Sequence, residues 1–501
     1  MSDTRTRFAP SLIGGLSVGA ARTALFNWLF ARSRSGLFIV RFDGADDLPA
    51  FQRLELDLID DLHWLGLGWD EGIEEGGPHG PYRRGERLDI HRRGAEQLAG
   101  SRLAYPCFCA TVRPAGEGGT DQASGHTCRC RRIAPSDAMA RRRREPHVVR
   151  LNGEQVGNGE SAVTFNDLVR GPIRIPLTEI GDPILIDREA RPSNDFAAAV
   201  DDREMAITHV IRDGDPLSGT PVQVLVARAL GGGHAPEFAH LPEITGGGGA
   251  SLNGSEEGCT IGWFRDQGYA PEALINGLAL LGWAAPGGRD LVEREELLRD
   301  FGFDRVTRDP VVFDRARIDA LSARHMARLP ESRLVPLAIR HLQSAGRLPA
   351  PAPSGAIGWV GRLVRLYSDR LVRMADLPRE AETIFEFDGA RSLLNPGVKR
   401  DLPAPTARRV IESLVLRLDD QPLTAPRFQL VADEIRRETG VKGRNLYNPL
   451  RVALTGAATG PELVKLLPVI EEGHRLPLAK PIPSCAERAR AILAAIPGEI
   501  G

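Results

Sequence analysis

Two Cys-x-Cys pairs, Cys107-Phe108-Cys109 and Cys128-Arg129-Cys130, stand 18 residues apart. Four thiolates at such spacing suit a tetrahedral structural Zn2+. The stretch between them contains Ala115-Gly-Glu-Gly-Gly119, which cannot build a core, so a metal would account for its order. Four free thiols are the alternative, and His126 is an outside candidate to replace one cysteine. A closed four-ligand site of this kind is structural, not catalytic. Arg129, Arg131, Arg132 and the run Arg141, Arg142, Arg143, Arg144 flank the pairs. Such a cluster would contact phosphates and make binding salt-dependent; a solvated helix face is the alternative. Gly14, Gly15 and Gly19 would give a tight turn into a helix N-terminus. Free N–H groups there favour phosphate, and Ser17 adds a hydroxyl. Residues 245–259 read Thr-Gly-Gly-Gly-Gly-Ala-Ser-Leu-Asn-Gly-Ser-Glu-Glu-Gly-Cys, a glycine-rich loop without a positive charge.

The elements that must position these groups follow from periodicity. Residues 6–14 read as a strand and turn, and residues 19–32 as a helix with Ala21, Leu25, Trp28 and Leu29 at helical spacing. Residues 37–42 are a short apolar run that suits a buried parallel strand. Residues 54–65 form a second amphipathic helix, and the alternation implies a doubly wound α/β sheet. The cysteine segment, about 100–135, and a strand-rich stretch, about 147–187, interrupt that sheet. It resumes over about 195–230, with Ile207-Thr-His-Val-Ile-Arg212 as a core strand. Helices dominate from about 262, broken at 347–355 by a proline-rich hinge or surface loop. Helical periodicity returns over 406–418 and 427–439.

At 501 residues the chain has room for two to four domains. Hydrophobic content of 42% and charged content of 26% are ordinary for a soluble protein. No apolar run approaches the ~18 residues needed to span a bilayer. Residues 1–8 lack the apolar core of a signal peptide, so the expected compartment is the cytoplasm. The net charge of −2 does not advertise nucleic acid. The cations are skewed, however. Lysine occurs only at Lys399, Lys442, Lys465 and Lys480, so a lysine-dependent step in residues 1–398 must use arginine or be absent. The two are not interchangeable at a point-charge phosphate site. Cys259 and Cys485 stand alone as plain thiols.

Several stretches resemble a bacterial glutamyl-tRNA synthetase, a class I synthetase with a Rossmann-type core. They include Thr6-Arg-Phe-Ala-Pro-Ser11, Ala21-Arg-Thr-Ala-Leu-Phe-Asn-Trp-Leu-Phe-Ala-Arg32, Leu62-His-Trp-Leu-Gly-Leu-Gly-Trp-Asp70 and Gly80-Pro-Tyr-Arg-Arg-Gly-Glu-Arg-Leu88. Ile207-Thr-His-Val-Ile-Arg212, residues 268–283 and residues 440–456 extend the match almost end to end. A short relative that glutamylates a modified tRNA base lacks the anticodon-binding half, which this chain has. The resemblance implies a parallel-sheet α/β catalytic core with a zinc-containing insertion, followed by an all-α anticodon-binding region. The implied domains are a first catalytic half at 1–100, an acceptor-arm insertion with a zinc knuckle at 101–190, and a second catalytic half at 191–260. A helical stem-contact domain at 261–330 and helical anticodon-binding domains at 331–501 follow. The implied ligands are ATP with Mg2+, glutamate and tRNA. Lys442, Arg444 and Arg451 would meet the anticodon arm. Residues 313–326 depart from the family, which usually carries Lys-Leu-x-Trp-Leu-Asn there. The expected state is a monomer with neither DNA nor membrane as a partner.

The resemblance also says where adenylation should occur. The motif named for His-Ile-Gly-His falls on Leu16-Ser17-Val18-Gly19-Ala20, with Ser17 in place of the leading histidine. The Lys-Met-Ser-Lys-Ser loop aligns, without gaps, on Ser251-Leu252-Asn253-Gly254-Ser255, where both lysine positions are neutral and Glu256-Glu257 follow. The nearest downstream arginine, Arg265, lies beyond the loop on an expected helix. Arg7 and Ser11 stand where the family holds glutamate, and Arg212 where an arginine pairs with its side-chain carboxylate bidentately. The family's acidic Arg-Ile-Glu-Asp-Thr-Asp segment reads Arg41-Phe-Asp-Gly-Ala-Asp46, so Asp43 is one methylene shorter than the expected glutamate. The pocket's tyrosine and asparagine correspond to Asn194 and Ala198. Arg7 and Arg212 read equally as ligands for substrate or as core-edge arginines satisfied by carboxylates such as Asp201 or Asp202. The expectation is a family member whose adenylation is severely impaired or absent. The alternatives are a tRNA- or protein-binding module and a ligase acting on a different substrate.

Overall fold

The computed structural model describes residues 4–10, 15–44, 49–109, 127–214, 219–231, 235–247, 258–401, 404–419 and 421–496. The chain divides into two compact units, one of Met1–Arg265 with Pro271–Ile318, the other of Asp266–Ala270 with Asp319–Gly501. The 261–330 stretch is therefore shared between them.

The first unit contains ten strands that frame the site: β1 (Arg5–Phe8), β2 (Leu37–Val40), β3 (Glu71–Gly72), β4 (Ala104–Cys107), β5 (Val148–Leu151), β6 (Ala162–Asp167), β7 (Gly171–Pro176), β8 (Ile184–Ile186), β9 (His209–Asp213) and β10 (Glu237–Leu241). Seven form one sheet in the order β3-β2-β1-β9-β10-β6-β7. All its neighbours run parallel except the β6–β7 hairpin. The strands read as apolar runs because helices cover both faces of a parallel sheet. Phe38, Ile39, Val40, Val210 and Ile211 are all fully buried. The helix Val18–Ser33 buries twelve of its sixteen residues, so it sits inside the unit instead of on its surface. From β1 the chain moves outward to β2 and β3, and later returns to β9 and β10 on the other side. The order therefore reverses between β1 and β9, and the crevice beyond the carboxyl ends of those strands is where ligands of such sheets bind.

Strands β4, β5 and β8 form a separate antiparallel sheet that carries the cysteine segment. The second unit is helical, with its larger helices at Glu331–Ser344, Ala356–Tyr367, Ala404–Arg417, Ala425–Thr439, Arg444–Thr455, Leu463–Arg475 and Cys485–Ala495. They close on Trp359, which is fully buried and donates its ring N–H to the Val469 carbonyl at 2.8 Å. The proline-rich stretch at 347–355 joins two helices within this unit and is a surface loop. Among the described residues no helix is long and apolar enough to cross a membrane.

Candidate functional site

Ser17 ends the approach to the first long helix and caps it, its Oγ accepting from the Ala20 N–H at 3.2 Å. The Val18 N–H donates to the Cys259 carbonyl at 2.9 Å, and Ile261 N–H donates to the Leu16 carbonyl at 2.8 Å. The chain just downstream of the glycine-rich loop, at Cys259 and Ile261, is thus hydrogen-bonded to Leu16 and Val18. The same bonds use up two of the first three helix N–H groups. Only the Gly19 N–H donates to nothing among the described residues. An open cradle of amides, as the glycine turn suggested, is not what this end of the helix presents. Asp213 stands beside it: an ideal Cβ on Gly19 would lie 3.7 Å from its Oδ2. This carboxylate accepts from Arg22 at 2.5 Å, and Arg22 also donates to the Pro242 carbonyl at 2.6 Å. Arg265, the nearest cation past the loop, pairs with buried Asp61 at 2.8 Å. Ser251, Leu252, Asn253, Gly254 and Ser255 lie outside the described residues, as do Gly14 and Ser11.

The amino-acid end is a knot of ion pairs. Arg7 donates from Nε to Asp202 at 3.1 Å, and Arg41 donates to the same oxygen at 2.6 Å. Asp201 and Asp202 are neighbours on the helix Asn194–Glu204, so their side chains leave it about 100° apart. Asp201 therefore serves a different pair, Arg87 at 2.6 Å and His91 at 2.8 Å. Burial pushes both carboxyls up, but the surrounding donors outweigh it. Asp202 stays below the usual carboxylate range because of Arg7 and Arg41, and Asp201 falls to about 2 because of His91, Arg41 and Arg87. Asp43 accepts from Arg41 Nε at 2.9 Å and from Arg84 at 2.5 Å, and Arg84 also donates to the Asn194 side-chain carbonyl at 2.9 Å. Ala198 is buried within its helix.

Sequence reasoning missed Arg84. The signal available was the doubled arginine in Tyr82-Arg-Arg-Gly-Glu86, in a stretch that carries the resemblance. Arg212 differs from Arg7. It donates to Thr220 Oγ1 at 2.5 Å and from Nε to His240 Nε2 at 3.3 Å. Burial, then the nearby Arg7 charge, lower its pKa. The structure thus brings Arg7, Arg41, Asp43, Arg84 and Asn194 together through shared carboxylates, while Arg212, within reach of the Arg7 and Asp202 charges, bonds to Thr220 and His240.

The four cysteines converge. Cys107 ends β4, Cys109 follows two residues on, and Cys128 caps the short turn Arg129–Arg132 that contains Cys130. Their sulfurs all lie within 4.8 Å of one another. Cys128 is 3.3 Å from Cys107 and 3.4 Å from Cys109, and Cys109 is 3.9 Å from Cys130. A tetrahedron with Zn–S of about 2.3 Å has edges of about 3.8 Å, so this donor set fits a tetrahedral thiolate site. His126 lies outside the described residues. Asp182 anchors the cluster: it accepts from Tyr105 Oη at 2.7 Å, the Cys128 N–H at 3.2 Å and the Gly153 N–H at 3.0 Å.

The arginine run around this knuckle is not uniform. Arg141 stacks over Phe108 at 4.3 Å and pairs with Glu145 at 2.7 Å, whereas Arg142, Arg143 and Arg144 are exposed. Arg131 is engaged by Glu154 at 2.8 Å, while Arg129 and Arg132 are exposed. In the helical unit Lys442 and Arg444 are exposed at the start of the helix Arg444–Thr455, and Arg451 is half-buried, donating to the Pro461 carbonyl at 2.9 Å.

Known proteins place this architecture. A family model described as the catalytic domain of class I tRNA synthetases (E and Q) matches residues 3–320, and an anticodon binding domain model matches residues 333–473. A glutamate–tRNA ligase of Desulforamulus reducens is 35% identical over 479 residues, covering 94% of this chain and 98% of its own. One of Symbiobacterium thermophilum is 36% identical, covering 96% of this chain and 99% of its own. The fold is that of a crystal structure of a glutamate tRNA ligase from Elizabethkingia meningosepticum in complex with its amino acid, with a TM-score of 0.80 at 23% identity over 99% of this chain and all of that one. Matched over both its catalytic core and its anticodon-binding half, the chain belongs to the glutamyl-tRNA synthetase family of class I tRNA synthetases.

Proposed function

We propose that this protein is a tRNA-binding member of the glutamyl-tRNA synthetase family in which glutamate adenylation is lost or severely impaired. The relatives' printed activity joins glutamate to tRNA, and a class I enzyme does so through an adenylate. Charge builds on the ATP phosphates in that step, so cations and N–H donors must stand ready. The observation that carries the reading is the state of the cations around the first helix. Arg22 is engaged by Asp213 and a carbonyl, Arg265 by Asp61, and residues 1–398 contain no lysine. Two of three helix N–H groups are bonded internally, and Asp213 adds negative charge beside the third. One missing preorganised donor typically costs about 10²–10³ in rate. A histidine and two ammonium groups are replaced here, and although such losses do not add strictly, they compound.

The knot at the amino-acid end supports the same reading, since Arg7 and Asp43 are engaged by protein groups. The retained anticodon-binding half and the exposed Arg142, Arg143 and Arg144 support tRNA as the partner. A structural Zn2+ on Cys107, Cys109, Cys128 and Cys130 would hold the insertion in shape. The test is glutamate-dependent ATP–pyrophosphate exchange with tRNA present, run beside an active relative. No exchange is expected, and exchange at the relative's rate overturns the reading. A tRNA gel shift across a salt series then tests RNA binding, with a steep salt dependence expected.

A further inference from the structure

Arg212 sits at the carboxyl end of β9, and the residue directly opposite it on β10 is His240. Asp167 ends β6, the next strand outward, and Thr220 opens the helix Thr220–Leu230. Asp167, His240 and Thr220 are all buried. Their hydrogen bonds admit only one direction. Asp167 accepts four donors: the Val169 N–H at 2.9 Å, the Arg170 N–H at 2.8 Å, the His240 N–H at 3.0 Å and His240 Nδ1 at 2.5 Å. A carboxylate so surrounded is held ionised and can only accept. The proton of His240 must then be on Nδ1, since a bare Nδ1 would set a lone pair against the carboxylate. Burial keeps the ring neutral against the pull of Asp167, with Arg212 and Arg170 adding to the effect. Nε2 is therefore an acceptor. It receives the Thr220 hydroxyl at 2.9 Å and, more weakly, Arg212 Nε at 3.3 Å, and the Thr220 oxygen in turn accepts from Arg212 at 2.5 Å.

We infer that Thr220, His240 and Asp167 form a one-way hydrogen-bond relay that orients the Arg212 guanidinium towards a carboxylate ligand, which makes Thr220 and His240 positioning residues. A planar guanidinium recognises a carboxylate only in the correct plane, and a long side chain does not hold that plane unaided. The relay transmits the fixed geometry of a buried anion across three strands and a helix start. It keeps a single carboxylate subsite in order even though Arg7 is engaged by Asp202. The inference rests on Arg212 lying in the amino-acid site and is independent of whether adenylation survives.

The test uses the full chain with Thr220→Val, which keeps shape and removes the hydroxyl, and Thr220→Ser, which keeps the hydroxyl. Crystal structures at neutral pH should show Arg212 in a changed rotamer in the valine variant and in the original rotamer in the serine variant. Nitrogen NMR of the wild-type His240 ring should show the proton on Nδ1 and a bare Nε2. Calorimetric titration with glutamate should give an affinity about tenfold weaker for Thr220→Val than for Thr220→Ser. An unmoved Arg212 in Thr220→Val, or a proton on His240 Nε2, overturns the inference. If neither wild type nor variants bind glutamate, the rotamer and the tautomer decide alone, and a failed pyrophosphate exchange leaves both readouts untouched.

Discussion

Replacing Asp202 by asparagine removes the one carboxylate that Arg7 and Arg41 share. At an effective dielectric near 20, two unit charges about 3 Å apart attract by about 5 kcal/mol before desolvation is counted. Arg41 keeps Asp43 at 2.9 Å, so the loss falls mainly on Arg7, whose side chain is only 6% exposed. A buried cation stripped of its partner costs about 3–5 kcal/mol, and about 3 kcal/mol is expected here. Arg7→Met together with Asp202→Asn removes the orphaned charge and should be less destabilised than Asp202→Asn alone, with a coupling of about 1–3 kcal/mol. Five of the six tryptophans, Trp28, Trp64, Trp69, Trp263 and Trp283, belong to the first unit. Denaturant unfolding followed by intrinsic fluorescence therefore reports on this unit, while the helical unit contributes one tryptophan. A loss under about 1 kcal/mol for Asp202→Asn, or coupling within the additivity error of about 0.5 kcal/mol, would refute the assignment. Arg7 would then be available to a substrate carboxylate, and one support for lost adenylation would go with it.

Asp201 sits at about 2 against an ordinary 3.8, so its contribution is present above the ordinary value and disappears as pH falls towards 2. That gap is worth about 2 kcal/mol, and acid titration of stability should lose this increment in wild type but not in Asp201→Asn. Arg142→Gln, Arg143→Gln and Arg144→Gln should each lower the salt slope of tRNA binding by about 1, whereas Arg141→Gln, already held by Glu145 and Phe108, should change it little. Equal effects at all four positions in a filter-binding series would contradict the structural distinction. Ser17→Ala should cost about 1 kcal/mol by removing the helix cap, and Ser17→His should not restore pyrophosphate exchange. Elemental analysis should find one zinc per chain, and Cys128→Ser should lose it and expose β4 to hydrogen exchange.

What the sequence determined by itself is what depends on residue type and short spacing. The buried strands β1, β2 and β9, the first two long helices and the helical second half follow from apolar periodicity, which acts over a few residues. The Cys-x-Cys pairs and the absence of lysine before Lys399 are likewise statements about type, and the sulfurs do converge within 4.8 Å. The near end-to-end match carried the family. Partnership was decided only by the tertiary structure. Arg7 meets Asp202 across 195 residues, Arg22 meets Asp213 across 191, and Arg84 meets Asn194 across 110. An arginine's type announces a charge but not the carboxylate that claims it; that choice falls to strand order and helix phase. The same holds for the relay, where Asp167, Thr220 and His240 come from β6, a helix start and β10, and only the parallel register of β9 and β10 sets His240 opposite Arg212.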